Sequence, residues 1–365
     1  MINQFISSFF KHLDSILLAC LLFALFIGLM VLYSASGQSF SKVSAQLINI
    51  AVALSVMWAT ANIQPHHLER IALPAYALGL LLLLAVALFG DISHGARRWL
   101  NLGFTKIQPS ELMKIAVPMM LAWYFSKREA NLKAADFMIA GLILAAPALL
   151  IMKQPDLGTA LLVVAAGFFV IFLAGLSWKF IVGGIVLLGA MMPIFWSLLH
   201  DYQRRRIEIL IDPTQDPLGS GYHIIQATIA IGSGGLSGKG WLNGTQTQLD
   251  FLPERTTDFI FAVFGEEFGL IGNLLLLLLF TVMIVRGFVI ASQAKSMFSR
   301  LLAGSIAMTF FTYCFVNMGM VSGILPVVGV PLPLISYGGT SMLTLGLSFG
   351  LLMSIQTHKK LVATD

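Results

Sequence analysis

The chain has 365 residues, 58% of them hydrophobic and 11% charged, with a formal net charge of +5. Soluble domains carry about 25% charged residues. A mean hydropathy of +0.87 leaves more apolar surface than a globular core hides, which excludes a secreted protein, a cytosolic enzyme and a disordered chain.

A membrane-crossing helix needs about 20 mainly apolar residues to span about 30 Å of hydrocarbon. Apolar runs of that kind lie at 15–33, 44–62, 71–89, 110–125, 137–152, 159–174, 179–199, 259–290, 301–321 and 334–355. The first resembles a secretory signal, with Lys11 before it and Ser34, Ala35 and Ser36 after it. Its apolar stretch exceeds the about 7–15 residues of a signal core, so it reads as a span. The prediction is an all-α polytopic membrane protein with ten transmembrane helices, forming one transmembrane domain over 1–365. An even number of spans puts both termini on one side. With the long segment 200–258 set aside, Lys and Arg are fewer in the short loops predicted to lie outside (Lys42, Arg97, Arg98, Lys106 and Lys153) than in those inside. That bias places both termini in the cytoplasm, and it explains the positive balance without a nucleic-acid patch. Cys20 and Cys314 each sit inside an apolar run, so no disulfide framework is expected.

One large segment, about 200–258, separates the seventh and eighth spans and is predicted to lie outside. Loops longer than about 12–15 residues are usually functional or disordered. Trp241, Phe251 and Leu252 within it predict that it folds onto the membrane face.

Charge near the spans then marks candidate chemistry, because an ionisable residue at a helix centre costs about 2.5–3.5 kcal/mol on insertion scales. Arg97 and Arg98 precede Trp99 in an outer loop, and Arg204, Arg205 and Arg206 open the long segment. Guanidinium forks match phosphate oxygens, although a lone arginine more often meets a lipid headgroup. Glu111 and Lys114 open the fourth span three residues apart, so they share a helix face and can pair. They serve either as a tolerated salt bridge or as a positioner of charged substrate. Asp156 and Thr159 stand where the sixth helix begins, either one suited to cap it. Asp258 directly precedes the run from Phe259. It is either an N-cap, with Thr257 as rival, or a partly desolvated carboxylate fixed at the membrane interface. Desolvation raises a carboxyl pKa and a helix N-terminus lowers it. Further on, Gly265 and Gly269 have the spacing that admits a close neighbour, and Glu266 reads as a buried carboxylate facing the bundle. The run Gly232–Gly240 has serine where a phosphate loop or a dinucleotide loop needs glycine, so it is not a nucleotide site. No His and Cys metal cluster stands out.

Several stretches resemble the SEDS (shape, elongation, division, sporulation) family of bacterial cell-wall proteins. They are Gly95-Ala96-Arg97-Arg98-Trp99-Leu100, Gln108-Pro109-Ser110-Glu111, Gln154-Pro155-Asp156-Leu157-Gly158-Thr159, Gly240-Trp241-Leu242-Asn243-Gly244-Thr245-Gln246, Leu252 through Phe259, and Val330 through Gly339. Thr245-Gln246 and the Phe251–Arg255 stretch resemble the elongation branch rather than the division branch.

The resemblance implies ten helices in the bacterial cytoplasmic (inner) membrane and an active site facing the periplasm. It implies a peptidoglycan glycosyltransferase that polymerises lipid II, an undecaprenyl-pyrophosphate-linked disaccharide peptide, during cell elongation and rod-shape maintenance. Asp258 matches the family's essential aspartate, its general base. Glu111 and Lys114 match a functional pair, and Arg98, Trp99 and Asp156 match motif positions. The donor's α-linkage and the product's β-linkage imply one inverting displacement. Arg98, Lys114, Lys239 or a divalent cation (Mg or Mn) would offset the departing pyrophosphate, and no other cofactor is required. The implied partners are a class B penicillin-binding protein transpeptidase, elongation-complex proteins and membrane lipid. A lipid II flippase and a scaffold for the transpeptidase are the alternatives. Thr256 stands where the family pattern has histidine, which puts an imidazole role at that position in doubt.

Overall fold

The computed structural model describes residues 13–93, 96–101, 106–154, 156–192, 197, 201–216, 219–249, 251–252 and 254–358. Lipid offers no partner to a backbone amide, so long apolar runs satisfy their peptide groups internally as helices. The first three are α1 (Ser15–Ala35), α2 (Phe40–Ala61) and α3 (Pro65–Phe89). After a small sheet come α4 (Pro109–Ser126), α5 (Ala134–Lys153), α6 (Leu157–Leu173) and α7 (Trp178–Ala190). The last three long helices are α11 (Ile260–Ser292), α12 (Met297–Val321) and α13 (Gly339–Thr357). A helix thus lies over each predicted span, although the seventh ends at Ala190 and residues 193–196 and 198–200 lie outside the described residues. Seven helices (α1, α2, α3, α5, α11, α12 and α13) are long and apolar enough to cross a membrane. The apolar helix α6 and the apolar part of α7 are shorter.

Helix α4 is the exception that organises the rest. It packs against α3, α5, α6 and α12, and nearly all its residues are buried, including Glu111 and Lys114. A helix enclosed by protein carries polar groups that a lipid-facing helix would exclude.

Two predictions need correction. The chain is not purely α: residues 91–107 hold a three-stranded antiparallel sheet, β1 (Asp91–Ser93), β2 (Ala96–Asn101) and β3 (Lys106–Ile107), in the order β1-β2-β3. The sheet pairs Trp99 with Asp91 and Leu100 with Ile107. Such short strands give no periodic signal, and hydropathy reads them as a loop. Nor do Asp258 and Thr257 cap α11. Phe259 is its N-cap residue and makes no side-chain cap bond, while the Thr257 hydroxyl donates to the carboxylate and carbonyl of Glu254.

The segment from 201 to 258 folds onto the helices. It contains α8 (Asp201–Ile211), a 3-10 turn (Pro213–Gln215), α9 (Ser220–Ser233) and the single turn α10 (Thr245–Gln248). Leu252 is fully packed away, and the Trp241 indole donates to the Met30 carbonyl of α1 at 3.0 Å. Phe251 remains exposed.

The glycine-rich run has a backbone role. Helix α11 breaks at Gly269, which has φ 64° and ψ −162°. Breaking a helix orphans carbonyls before the break and amides after it. Here Lys239 N and Gly240 N donate to the Glu266 and Glu267 carbonyls at 3.0 Å each, and Leu270 N and Ile271 N donate to Gly235 and Leu236 carbonyls at 2.9 and 3.1 Å. The run 235–240 therefore lies in the break and closes its hydrogen bonds. A Cβ on Gly269 would stand 2.3 Å from Gly238 N, so contact this close requires glycine. The small-residue spacing does admit a neighbour, but the neighbour is a loop as well as helix α9, whose Ile231 lies against Gly265.

Candidate active site

Asp258 stands in a short turn in front of α11, and the turn is clamped by the proline-rich segment 325–337. Three successive carbonyls are held. Tyr337 N donates to Thr256 O at 2.9 Å, Ser336 Oγ to Thr257 O at 2.7 Å, and Asn317 Nδ2 to Asp258 O at 2.9 Å. Asn317, wholly buried in α12, donates also to Val330 O at 2.7 Å. Ser336 Oγ also accepts from Leu332 N at 2.8 Å. The backbone that carries the carboxylate is therefore fixed from two sides.

The carboxylate itself is half-buried and faces Gly329: an added Cβ there would sit 3.4 Å from Asp258 Oδ2. Among the described residues no side chain donates to it. Burial, and then the charge of Glu254, push its pKa from 3.8 up to about 6. Desolvation moves it in the direction that a general base near neutral pH requires.

The same proline-rich segment touches a second cluster. Gly158, in the first turn of α6, lies so close to it that a Cβ would meet Val328 O at 2.5 Å. Asp156 caps that turn, Oδ1 accepting from Thr159 N at 3.2 Å, so cap and motif position coincide. Asp156 Oδ2 accepts from Gln108 Nε2 at 3.1 Å and lies 3.8 Å from Arg98 Nε. The structure therefore brings together Arg98, from the sheet, and Asp156, from a helix. Arg98 keeps about a third of its side chain exposed, and the adjacent Trp99 is half-buried.

The predicted pair in α4 forms. Glu111 Oε1 accepts from Lys114 Nζ at 2.5 Å, and both residues are buried. Thr344 Oγ1 of α13 donates to Glu111 Oε2 at 3.4 Å, and the ammonium stands 5.1 Å from the Tyr313 ring centroid. Tyr313 in turn packs in a small apolar cluster with Leu162, Val316 and Val330, which connects the pair to the segment facing Asp258. The cavity beside Lys114, between α4, α12 and α13, holds about 20 Å³, room for about one water. It is no passage for a sugar headgroup.

Lys239 lies apart from this constellation. Its ammonium donates to Glu266 Oε1 at 2.8 Å and to Thr245 Oγ1 at 2.7 Å. Glu266, fully buried, also accepts from Gln246 N at 3.0 Å. It thereby ties the motif around α10 to α11, the buried carboxylate that the sequence suggests. Helix α10 links this group to Asp258's turn, where Arg255 Nη1 donates to Thr247 O at 2.6 Å. Arg204 donates to Ser197 O, and Arg205 pairs with Asp216 at 3.5 Å. The side chains of Arg97 and Arg206, and all of Pro155 and Pro253, lie outside the described residues.

Asn317 and Tyr313 escaped the sequence reading. Both are polar residues inside the apolar run 301–321, and intramembrane polar residues are a recognisable signal. Among the described residues no group of three or more His, Cys, Asp or Glu is arranged to hold a metal ion.

Comparison with known proteins places the chain as a whole. Residues 14–361 match the family model FtsW/RodA/SpoVE, described as cell cycle protein. The chain is 51% identical over 353 residues to the peptidoglycan glycosyltransferase MrdB of Escherichia coli (strain K12), covering 96% of this chain and 95% of that one. It is 34% identical over 360 residues to the stage V sporulation protein E of Bacillus subtilis (strain 168), covering 95% and 98%. Among solved structures, one titled as structural coordination of polymerization and crosslinking by a peptidoglycan synthase complex superposes with a TM-score of 0.83 at 32% identity, covering 95% and 98%. The crystal structure of the Thermus thermophilus rod shape determining protein RodA superposes with 0.71 at 27% identity, covering 94% and 96%. With its sequence matched almost from end to end and its helices superposing on those of solved relatives, the chain belongs to the FtsW/RodA/SpoVE family.

Proposed function

We propose that this protein is a peptidoglycan glycosyltransferase that polymerises lipid II during cell elongation, with Asp258 as general base. The observation that carries the reading is the state of Asp258: its backbone is clamped, its carboxylate is half-buried without a donor, and its pKa is raised to about 6. The relatives named as peptidoglycan glycosyltransferases support the activity.

A sugar hydroxyl is far too weak an acid to ionise at neutral pH, so a base must take its proton as it attacks. The acceptor's 4-hydroxyl oxygen bonds to the donor's anomeric carbon. Its proton passes to an Asp258 carboxylate oxygen, and the bond from that carbon to the pyrophosphate oxygen breaks with inversion. Negative charge then grows on the departing polyprenyl pyrophosphate. Arg98, half-exposed and steered by Asp156, is the cation best placed to meet it, and Trp99 beside it offers a face to the sugar. Lys114 and Glu111 act from inside the bundle by holding the wall behind Val330. Lys239 holds the α10 motif through Glu266. A divalent cation would be carried by the pyrophosphate, with the exposed Glu254 as the carboxylate nearest to hand, and no step here depends on it.

The ten helices α1–α7 and α11–α13 are read as ten crossings of the cytoplasmic membrane. Both termini then face the cytoplasm, and the 201–258 segment, Asp258 and the sheet face the periplasm. The synthase-complex neighbour supports a transpeptidase of the class B penicillin-binding type as partner, within the elongation complex.

The test is purified protein given fluorescent lipid II, wild type beside Asp258→Asn. Glycan ladders from wild type and none from the variant are expected. Transbilayer movement of lipid II without ladders would make the protein a flippase. Normal cell growth supported by Asp258→Asn would make it a scaffold.

A further inference from the structure

The end of the bundle opposite the Asp258 turn carries a feature that the proposed reaction does not use. Helix α3 begins Pro65-His66-His67-Leu68-Glu69-Arg70-Ile71, and His358 is the C-cap residue of α13. His66, His67 and Arg70 are exposed. The two imidazole rings lie 3.8 Å apart between centroids, and His66 also feels the charges of Arg70 and His358. Nearby Glu69 does not neutralise the group, because it is engaged by Lys127 at 3.3 Å and by Ser126 Oγ at 3.0 Å. Among the described residues Arg70 has no carboxylate partner. The Arg70 guanidinium and three imidazoles thus gather where α3 starts and α13 finishes, at a helix N-terminus whose dipole also favours an anion.

An apolar groove starts directly beneath them. Its floor and walls come from α2, α3, α4 and α13, and its volume is about 230 Å³. Along α3 it runs from Leu68 to Leu82, about 21 Å at 1.5 Å per residue. The rim and the groove are physically continuous. His67 precedes Leu68, and Arg70 precedes Ile71, both groove residues. His358 Nδ1 lies 2.9 Å from Ser354 O, and Ser354 Oγ donates to the carbonyl of Ile63, which lines the groove. Ile63, Ile71 and Leu78 are exposed there, so the groove is open to the membrane along its side.

A guanidinium among imidazoles above and a lipid-length apolar channel below fit one class of molecule. We propose that the His66–Arg70–His358 rim and the α2/α3/α13 groove bind an anionic glycerophospholipid, with the phosphate at the rim and an acyl chain along α3. Basic pockets between membrane helices recognise anionic headgroups in this way. The anion gives Arg70 a counter-charge, and the chain covers apolar side chains that no element among the described residues covers. The site lies at the other end of the helices from Asp258, so it holds the bundle in place rather than taking part in the chemistry.

The test uses the full chain in nanodiscs of phosphatidylglycerol and phosphatidylcholine in equal amounts, with the lipids retained on the released protein counted by native mass spectrometry. Wild type is expected to retain phosphatidylglycerol in preference to phosphatidylcholine. Arg70→Gln is expected to lower that preference about fivefold, the effect of one cation near an anionic headgroup. Ala75→Phe, which fills the groove, is expected to lower retention of both lipids. Equal retention of the two lipids by wild type overturns the proposal, and this arm needs no variant to fold. So does an unchanged preference in an Arg70→Gln protein that melts like wild type. If undecaprenyl pyrophosphate strips the retained lipid from wild type, the groove belongs to the substrate and the proposal fails.

Discussion

Asn317 and Asp258, 59 residues apart in sequence, are joined by one amide: Nδ2 of Asn317 donates to the Asp258 carbonyl at 2.9 Å and to the Val330 carbonyl at 2.7 Å. A single buried side chain in α12 thereby sets the distance between the turn that carries the base and the segment that faces it. Replacing it by alanine leaves two buried carbonyls without a donor, each worth about 1–3 kcal/mol. Asn317→Ala is expected to lower the melting temperature in detergent and to cut polymerisation about 100-fold, as misplacement of a catalytic group by about 1 Å does. Melting curves and lipid II polymerisation measured on the same preparation check both.

The pH dependence follows from Asp258. A base works when deprotonated, so activity should climb as pH rises through about 6 and level off above it. Glu254 contributes to raising that pKa, so Glu254→Gln should move the midpoint of the pH–rate curve downward. An unchanged midpoint would mean that Glu254 exerts no field at Asp258.

The same shift has a stability consequence of opposite sign to the usual salt-bridged carboxylate. Because the folded-state pKa is raised, Asp258 is tolerated when protonated, below about 3.8, and penalised as pH rises through about 6. Asp258→Asn removes the penalty. At pH 7 the variant should be inactive yet more stable than wild type, by at most about 3 kcal/mol, and the gain should vanish below about pH 4. Thermal melts at the two pH values give the comparison.

Lys114 and Glu111 are a buried pair, and removing one partner strands the other. Lys114→Met should destabilise by about 3–5 kcal/mol, and Glu111→Gln added to it should recover most of that loss. Recovered stability without recovered polymerisation would show that the pair holds the active-site wall through its charge. Recovery of both would make it packing alone.

Gly269 sits at positive φ with Gly238 N against the place where a Cβ would go. Gly269→Ala should cost more than about 2 kcal/mol, since strain and overlap add. Gly272→Ala, three residues on at an ordinary helical angle, would meet the side chains of Phe268 and Phe264 rather than backbone and should cost less. Parallel melting curves of the two variants separate backbone strain from crowding.

The local features of this protein were legible without coordinates. Hydropathy over some twenty residues is a property of contiguous sequence, so every predicted span has a helix over it. The Glu111–Lys114 pair and the Asp156–Thr159 cap are three residues apart, where helix geometry alone brings the partners together. Asp258 stood out because a lone carboxylate beside an apolar run asks for a reason. The Asp258 cap did not follow. Whether a side chain turns back to its own helix depends on the φ and ψ of the turn before it, and here Glu254, at φ 48°, swings that turn around.

Packing decided the remainder. The sheet that brings Arg98 to Asp156 spans residues too few for a periodic pattern. The bond from Asn317 to Asp258, the pairing of Lys239 with Glu266 and the loop seated in the Gly269 break all join positions well separated in the chain. Composition sets how much apolar surface must be hidden from water. Which buried polar atoms meet is settled only when whole helices dock, because each must find its partner among neighbours that the fold supplies.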